Sequence, residues 1–265
     1  MPQPPPNPPG PPDPLACAAA ARTLLVAADF DGTIAPLTPE PQLSRADPRA
    51  RAALARLAAL PGTTVAVISG RARADLRLRL APPPDWRLVG SHGAELDSDA
   101  DPAPDQGCTA LLLSAARRFQ DLRQEFPRAV VERKPFGVAF HWRALPADRH
   151  AAAEAAARAV AGAFHTLRVV AGSMALEVTT SRATKGDALS ALRSALNPAF
   201  TLFIGDDTTD EDAFAHLERH ATEASGLGVK VGRGPTRARL TLTDVGAVAS
   251  LLDRLADART LATRG

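Results

Sequence analysis

The chain has 265 residues, 45% hydrophobic and 23% charged, which supplies a sizeable interior and an ordinary water-facing surface and excludes a fibrous or wholly disordered chain. Its 31 basic and 29 acidic residues are interspersed and leave a formal charge of +2, so the one-sided basic footprint of a nucleic-acid binder is missing. The length fits a single α/β core with an inserted module.

Nine prolines fall within the first fourteen residues. They favour extended conformations and remove backbone donors, so residues 1–20 are predicted to be a disordered, proline-rich tail. A proline-rich ligand for a partner domain is the alternative, although no basic anchor flanks it. The apolar stretch from Leu15 to Ala21 is cut by Arg22, and no run approaches the roughly 20 residues that span a bilayer, so neither export nor membrane insertion is expected. Cys17 and Cys108 form no CxxC pair and no disulfide framework, which fits a reducing cytoplasm.

The first core segment, residues 21–104, begins with TLLVAA at Thr23–Ala28, a short apolar run of the kind buried on both faces of a parallel sheet. Asp47 and Pro48 signal a helix start, leucines 54, 57 and 60 give that helix an apolar side, and Pro61 and Gly62 stop it. A second strand, TTVAVI, ends at Ser69 and Gly70; a helical stretch and a third strand, WRLVG, follow. Arg71, Arg73, Arg77 and Arg79 read as a solvated helix face, with Arg71 the one candidate for another role. Strands alternating with helices predict right-handed βαβ units.

Residues 105–181 depart from that pattern. A helix over about Thr109–Phe126 precedes the alternating strands AVVERK and GVAFHW. An alanine-rich helix over about Ala147–Ala163 precedes HTLRVV and MALEVTT, with Ala171, Gly172 and Ser173 as their turn. This αββαββ block predicts an inserted domain with an antiparallel sheet. Core character resumes over 182–265 with a helix opening at Lys185, the strand FTLFIG, an acidic loop and a last helix over about Asp244–Ala258.

Three core strands end in polar clusters: DFDGT at Asp29–Thr33, SGR at Ser69–Arg71, and GDDTTDED at Gly205–Asp212. Ligands of open α/β sheets bind beyond the carboxyl ends of the strands, so the clusters should meet, with Lys185 and Gly186 near the same edge. Asp29 and Asp31 are two apart in an extended segment and face one side. Like charges 4 Å apart repel by about 4 kcal/mol at an effective dielectric of 20, and Asp206, Asp207 and Asp210 would add to that. An all-oxygen site for a divalent cation follows, with magnesium the natural occupant; zinc would need grouped His or Cys. Each piece has a plainer alternative: DFDGT as a turn, Ser69 as a helix cap, Lys185 as a surface lysine. Their joint order favours chemistry.

These four motifs together resemble the haloacid-dehalogenase phosphohydrolases over the whole core. The resemblance implies a Rossmann-like parallel-sheet core with an α+β cap, and Asp29 as the nucleophile. It implies Asp31 as general acid and base, and Ser69 and Lys185 as holders of the phosphoryl oxygens. Magnesium would take the Asp29 carboxylate, the Asp31 carbonyl and Asp206, with Asp207 and Asp210 ordering its waters or the loop. The strings GSHGAE at 90–95, VERKPFGVAFHWR at 131–143, LEV at 176–178 and GDDTTDEDAF resemble the trehalose-6-phosphate phosphatase family, whose members carry such a cap. Trp142 stands where that family commonly has tyrosine, and SRATKG replaces a more usual proline- and glycine-containing approach to the lysine.

That resemblance implies a sugar-phosphate substrate, with trehalose 6-phosphate first. Sucrose phosphate and mannosyl-3-phosphoglycerate are alternatives, a phosphomutase is a weaker one, and a non-catalytic sugar-phosphate sensor is the alternative of another class. Glu132, Lys134, His141, Arg143 and Glu177 on the cap, with Gly70, Arg71, His92 and Glu95 on the core, are the candidate substrate contacts. For each cap residue a surface or intra-cap ion pair is the competing reading, and for His141 a satisfied core position. No nucleic-acid or membrane partner is expected, and the oligomeric state stays open, a monomer being compatible.

Overall fold

The computed structural model describes residues 13–96, 104–222 and 225–263. Among them are eight α-helices and ten strands, and the strands form two sheets. The larger sheet takes β1 (Leu24–Ala28), β2 (Thr63–Ile68), β3 (Arg87–Val89), β8 (Phe200–Gly205), β9 (Gly226–Val231) and β10 (Leu240–Leu242) in the order β10-β9-β8-β1-β2-β3, all parallel. β1 is central and wholly buried because both its faces are covered. Leu24, Val26 and Ala28 join one apolar cluster, with Leu54 and Leu57 of α2 (Pro48–Ala58) and Leu251, Leu252 and Leu255 of α8 (Val245–Ala262). Leu25 and Ala27 join the other, with Leu189 of α6 (Lys185–Leu196) and Phe214 of α7 (Glu211–His220). The two-residue period of the strand thus feeds two hydrophobic layers.

The smaller sheet, order β4-β5-β7-β6, is antiparallel and comprises β4 (Val130–Arg133), β5 (Gly137–His141), β6 (Arg168–Gly172) and β7 (Ala175–Thr179). Two helices, α4 (Gln106–Leu122) and α5 (His150–Gly162), pack on one face around Phe119, Phe140 and Leu176. Trp142 belongs to this apolar cluster, its ring 6.3 Å from that of Phe140. The block is an αββαββ insertion between β3 and α6, as expected.

Several sequence expectations are corrected. The proposed tail reaches into α1 (Pro14–Ala20), which Asp13 caps and Pro14 opens. Ala18 and Ala19 are buried, and the Arg259 guanidinium donates to the carbonyls of Ala19 and Ala21 at 3.1 and 2.7 Å. Residues 1–12, the rest of that expectation, lie outside the described residues. The turn between β6 and β7 falls at Ser173 and Met174, the latter at φ 57°, while Ala171 and Gly172 stay in the strand. The acidic segment after β8 continues into α7, and β9 follows it; neither element was anticipated. On α3 (Arg73–Leu80), Arg73 is buried and Arg79 nearly so, whereas Leu78 is 75% exposed, so the solvated arginine face does not exist in that form. No helix among the described residues is long and apolar enough to cross a membrane.

Candidate active site

The carboxyl edge of the parallel sheet opens into a cavity of about 150 Å³ that the inserted unit roofs. Asp29 and Asp31 reach it from the end of β1, Ser69, Gly70 and Arg71 from the end of β2, and His92 from the turn after β3. Lys185 comes from the first turn of α6, and Asp206 and Asp207 from the end of β8. Glu132, Lys134, His141, Arg143 and Glu177 line it from the roof.

Lys185 is the centre of the floor. It is 2% exposed, and its Nζ lies 3.0 Å from Asp29 Oδ1 and 2.8 Å from Asp210 Oδ1, so the surface-lysine alternative is excluded. Burial alone would push this ammonium down, but Asp210 and Asp29 more than offset it and hold it above the ordinary lysine range. Asp29 is pushed well up, by burial first, with Lys185 opposing and the neighbouring carboxylates adding to the rise. Asp206 is raised to about 7, by burial and by Asp210. Ser69 is not the cap of α3, whose N-cap is Ala72 without a side-chain bond. Its Oγ instead accepts the Arg71 N–H at 3.2 Å.

Carboxylate oxygens of Asp29, Asp206 and Asp210 lie within 4.8 Å of one another. Asp210 is already committed: Oδ1 takes Lys185, and Oδ2 accepts the N–H groups of Asp206 and Asp207 at 3.0 and 2.9 Å. Asp29 and Asp206 keep free acceptor capacity. The backbone makes room for them, because a Cβ on Gly32, at φ 78°, would sit 2.0 Å from Asp206 Oδ2. An all-oxygen set of three carboxylates that Lys185 offsets only in part fits a hard divalent cation.

Two carboxylates on the roof are also paired. Glu177 receives the Lys134 ammonium, and His92 Nε2 lies 3.6 Å from it; Glu132 lies 2.9 Å from His141 Nε2. Burial would raise both acids, yet Lys134 and the histidines bring each to about 2. His92 itself is lowered, chiefly by burial. Its ring fills the space beside Gly70, where a Cβ would meet it at 2.4 Å. Arg143 donates to the Ser173 carbonyl and hydroxyl at 2.8 and 3.0 Å. Roof and floor touch through Asp207 Oδ2, which accepts the Ser173 N–H at 3.3 Å, and through the Thr208 hydroxyl, which donates to the Ala171 carbonyl at 3.0 Å.

One expected site residue falls elsewhere. Glu95 is buried beneath the floor, accepting from the Ser91 hydroxyl at 2.5 Å and the Arg73 N–H at 3.2 Å, and does not line the cavity. Asp210, expected to order the cation's waters or the loop, is fully buried, and its Oδ2 accepts from the loop N–H groups of Asp206 and Asp207. The sequence also hid contributors: Ser44, whose hydroxyl donates to Asp31 Oδ1 at 2.9 Å, and Thr33, 3.4 Å from Asp206 Oδ1. Lys230 was missed as well; it is buried in β9 and donates to the Asp206 carbonyl. A lysine inside the apolar run GLGVKV was the one available signal.

The trehalose-phosphatase family profile matches residues 27–245. A trehalose-phosphate phosphatase of Mycobacterium avium is 37% identical over 251 residues, 90% of this chain and 63% of that protein, so the chain spans less than two thirds of that relative. The C-terminal domain of Candida albicans trehalose-6-phosphate phosphatase superposes with a TM-score of 0.79 at 21% identity, over 92% of this chain and 95% of that one. The Aspergillus fumigatus trehalose-6-phosphate phosphatase gives 0.61 at 28% identity, over 92% and 96%.

Proposed function

The chain belongs to the trehalose-phosphatase family, and on that premise we propose that it hydrolyses trehalose 6-phosphate to trehalose and phosphate in the cytoplasm. The observation that carries the reading is the meeting of Asp29, Lys185 and Asp206 on one floor, beneath a roof whose buried Glu132 and Glu177 are ionised and already held by basic partners.

Asp29 is the nucleophile. One of its oxygens bonds to phosphorus as the bond from phosphorus to the sugar oxygen breaks, and Asp31 gives its proton to that departing oxygen. Asp31 then takes a proton from water, whose oxygen attacks the aspartyl phosphate and frees both phosphate and Asp29. Ser69 and Lys185 hold the phosphoryl oxygens. The Asp29 and Asp206 carboxylates and the Asp31 carbonyl would hold a magnesium ion, which when bound would supply positive charge to offset that of the carboxylates and the phosphate. Asp210 and Asp207 keep the β8 loop in shape, the former through its two backbone bonds. On the roof, Glu132, Lys134, His141 and Glu177 offer the fixed donors and acceptors that a disaccharide's hydroxyls require.

The test is phosphate release from trehalose 6-phosphate, glucose 6-phosphate and sucrose 6-phosphate with magnesium or with a chelator. Preference for trehalose 6-phosphate, lost on chelation and regained with magnesium, is the expected result. Equal rates for the first two would reject the disaccharide assignment, and binding without turnover would favour a sensor.

A further inference from the structure

Arg71 lines the cavity, yet its donors are spent on the protein. A guanidinium has five N–H groups. Nε donates to Asp31 Oδ2 at 2.6 Å, and Nη2 donates both to Asp31 Oδ1 at 2.8 Å and to the Pro41 carbonyl at 2.9 Å. Nη1 donates to Asp75 Oδ2 at 2.7 Å. A single N–H remains, too few for the two-pronged grip by which arginine holds a phosphate. The group is fixed from every side. Its Cζ stands 5.5 Å from the Phe30 ring centroid, and Asp75 is itself held by Arg79 Nε at 2.7 Å. The Arg71 side chain is 7% exposed while that of Asp31 is 31% exposed, so the carboxylate looks into the cavity with the guanidinium behind it.

We propose that Arg71, braced by Asp75, is a positioning residue that fixes the Asp31 carboxylate for proton transfer and does not bind the substrate. The assignment rests on the phosphatase reading. Asp31 Oδ1 accepts from Arg71 and Ser44 while Oδ2 accepts from Arg71 alone, so the second lone pair of Oδ2 carries the proton that passes to the leaving oxygen as its bond to phosphorus breaks and that to Asp29 forms. Need for that proton grows with the basicity of the leaving oxygen. A loosened Asp31 therefore penalises poor leaving groups most, whereas loss of a phosphate ligand penalises all substrates alike.

The experiment measures kcat/KM for a series of substituted phenyl phosphates, from dinitrophenyl to unsubstituted phenyl, in wild type, Asp75→Asn and Arg71→Lys. These substrates carry no sugar, and kcat/KM reports transfer to Asp29 without the later water step. With phenyl phosphate, Arg71→Lys is expected to lose about 10²-fold and Asp75→Asn about tenfold, against less than about threefold for both with dinitrophenyl phosphate. Equal losses across the series in folded variants overturn the assignment. Should Arg71→Lys lose its circular dichroism signature, Asp75→Asn decides by the same criterion. Wild type inert towards the aryl phosphates and trehalose 6-phosphate overturns the phosphatase reading together with this one, while an active wild type with parallel losses overturns the Arg71 role alone.

Discussion

Without a cation, the floor of the cavity should weaken the fold as pH rises. Asp206 holds its proton up to about 7 in the folded chain, against 3.8 for a free aspartate carboxyl, because burial and Asp210 disfavour its ionised form. Its folded value is raised, so its favourable contribution is complete below about pH 4 and is lost as pH climbs to 7. Each pH step across that window removes about 1.4 kcal/mol, which sums over roughly three steps to about 4 kcal/mol. Asp206 keeps some contact with cavity water, so this is a ceiling. Between pH 5 and 8 the loss is about 3 kcal/mol, or roughly 6–12 °C in Tm for a chain of this size. A divalent cation binds the ionised form, so the rise in Tm on adding magnesium should grow over the same interval. The assay is thermal unfolding by circular dichroism at pH 5, 6, 7 and 8, with chelator or magnesium, for wild type and Asp206→Asn. An amide at 206 removes its share of the titration and should make the chelator curve shallower than that of wild type, the remaining slope coming from Asp29, which burial also pushes up. Burial also lowers His92 and His216, whose contributions rise with pH below about 6.5, so the difference between wild type and Asp206→Asn carries the test, and an Asp206→Asn curve with the same slope as wild type would refute the reasoning.

Other consequences follow from the same geometry. Asp29→Asn should abolish turnover with an unchanged circular dichroism spectrum, and near-normal activity in that folded variant would exclude the covalent route. Asp31→Asn should lower turnover by about 10²–10⁴; saturating rates equal to wild type would remove its acid and base role. Lys185→Met leaves Asp29 and Asp210 buried without their cation and should destabilise the fold by about 3–5 kcal/mol at pH 8, measured by urea unfolding. An unchanged midpoint would mean that the ion pairs are not coupled to folding. Glu132→Ala or Glu177→Ala should reduce the preference for trehalose 6-phosphate over glucose 6-phosphate more than the rate with a small aryl phosphate; an intact preference would move sugar recognition to other roof residues.

The core was legible because its signals are local. TLLVAA, TTVAVI and FTLFIG are apolar runs of strand length, and each hands the chain to polar residues at its carboxyl end, where a parallel sheet places them side by side. The inserted block was legible for the same reason, since hairpin spacing replaces crossover spacing after residue 104. Elements diluted by polar residues were missed. In β9, glycines and Lys230 interrupt the apolar signal, and in α7 the acidic start hides the stripe of Ala213, Phe214 and Leu217.

Partner choice was beyond any local pattern, because it depends on which groups meet across long stretches of chain. Asp13 and Pro14 are a helix-start signal by themselves, but α1 is anchored by Arg259, some 240 residues away, which satisfies the carbonyls at its end. Glu95 carries the same charge as Glu177, yet one lies under the floor with Ser91 and the other in the roof facing Lys134. Asp210 reads in sequence as a group that orders the cation's waters or the loop, and only the fold shows its oxygens turned to Lys185 and two backbone N–H groups. The sequence alone determined the core and inserted elements other than α1, α7, β9 and β10, and the carboxylates at the strand ends, through periodicity and residue chemistry. Tertiary structure alone decided which charges pair: Arg71 could have faced solvent or substrate, and only the fold that brings Asp31, Pro41 and Phe30 around it commits it to the protein.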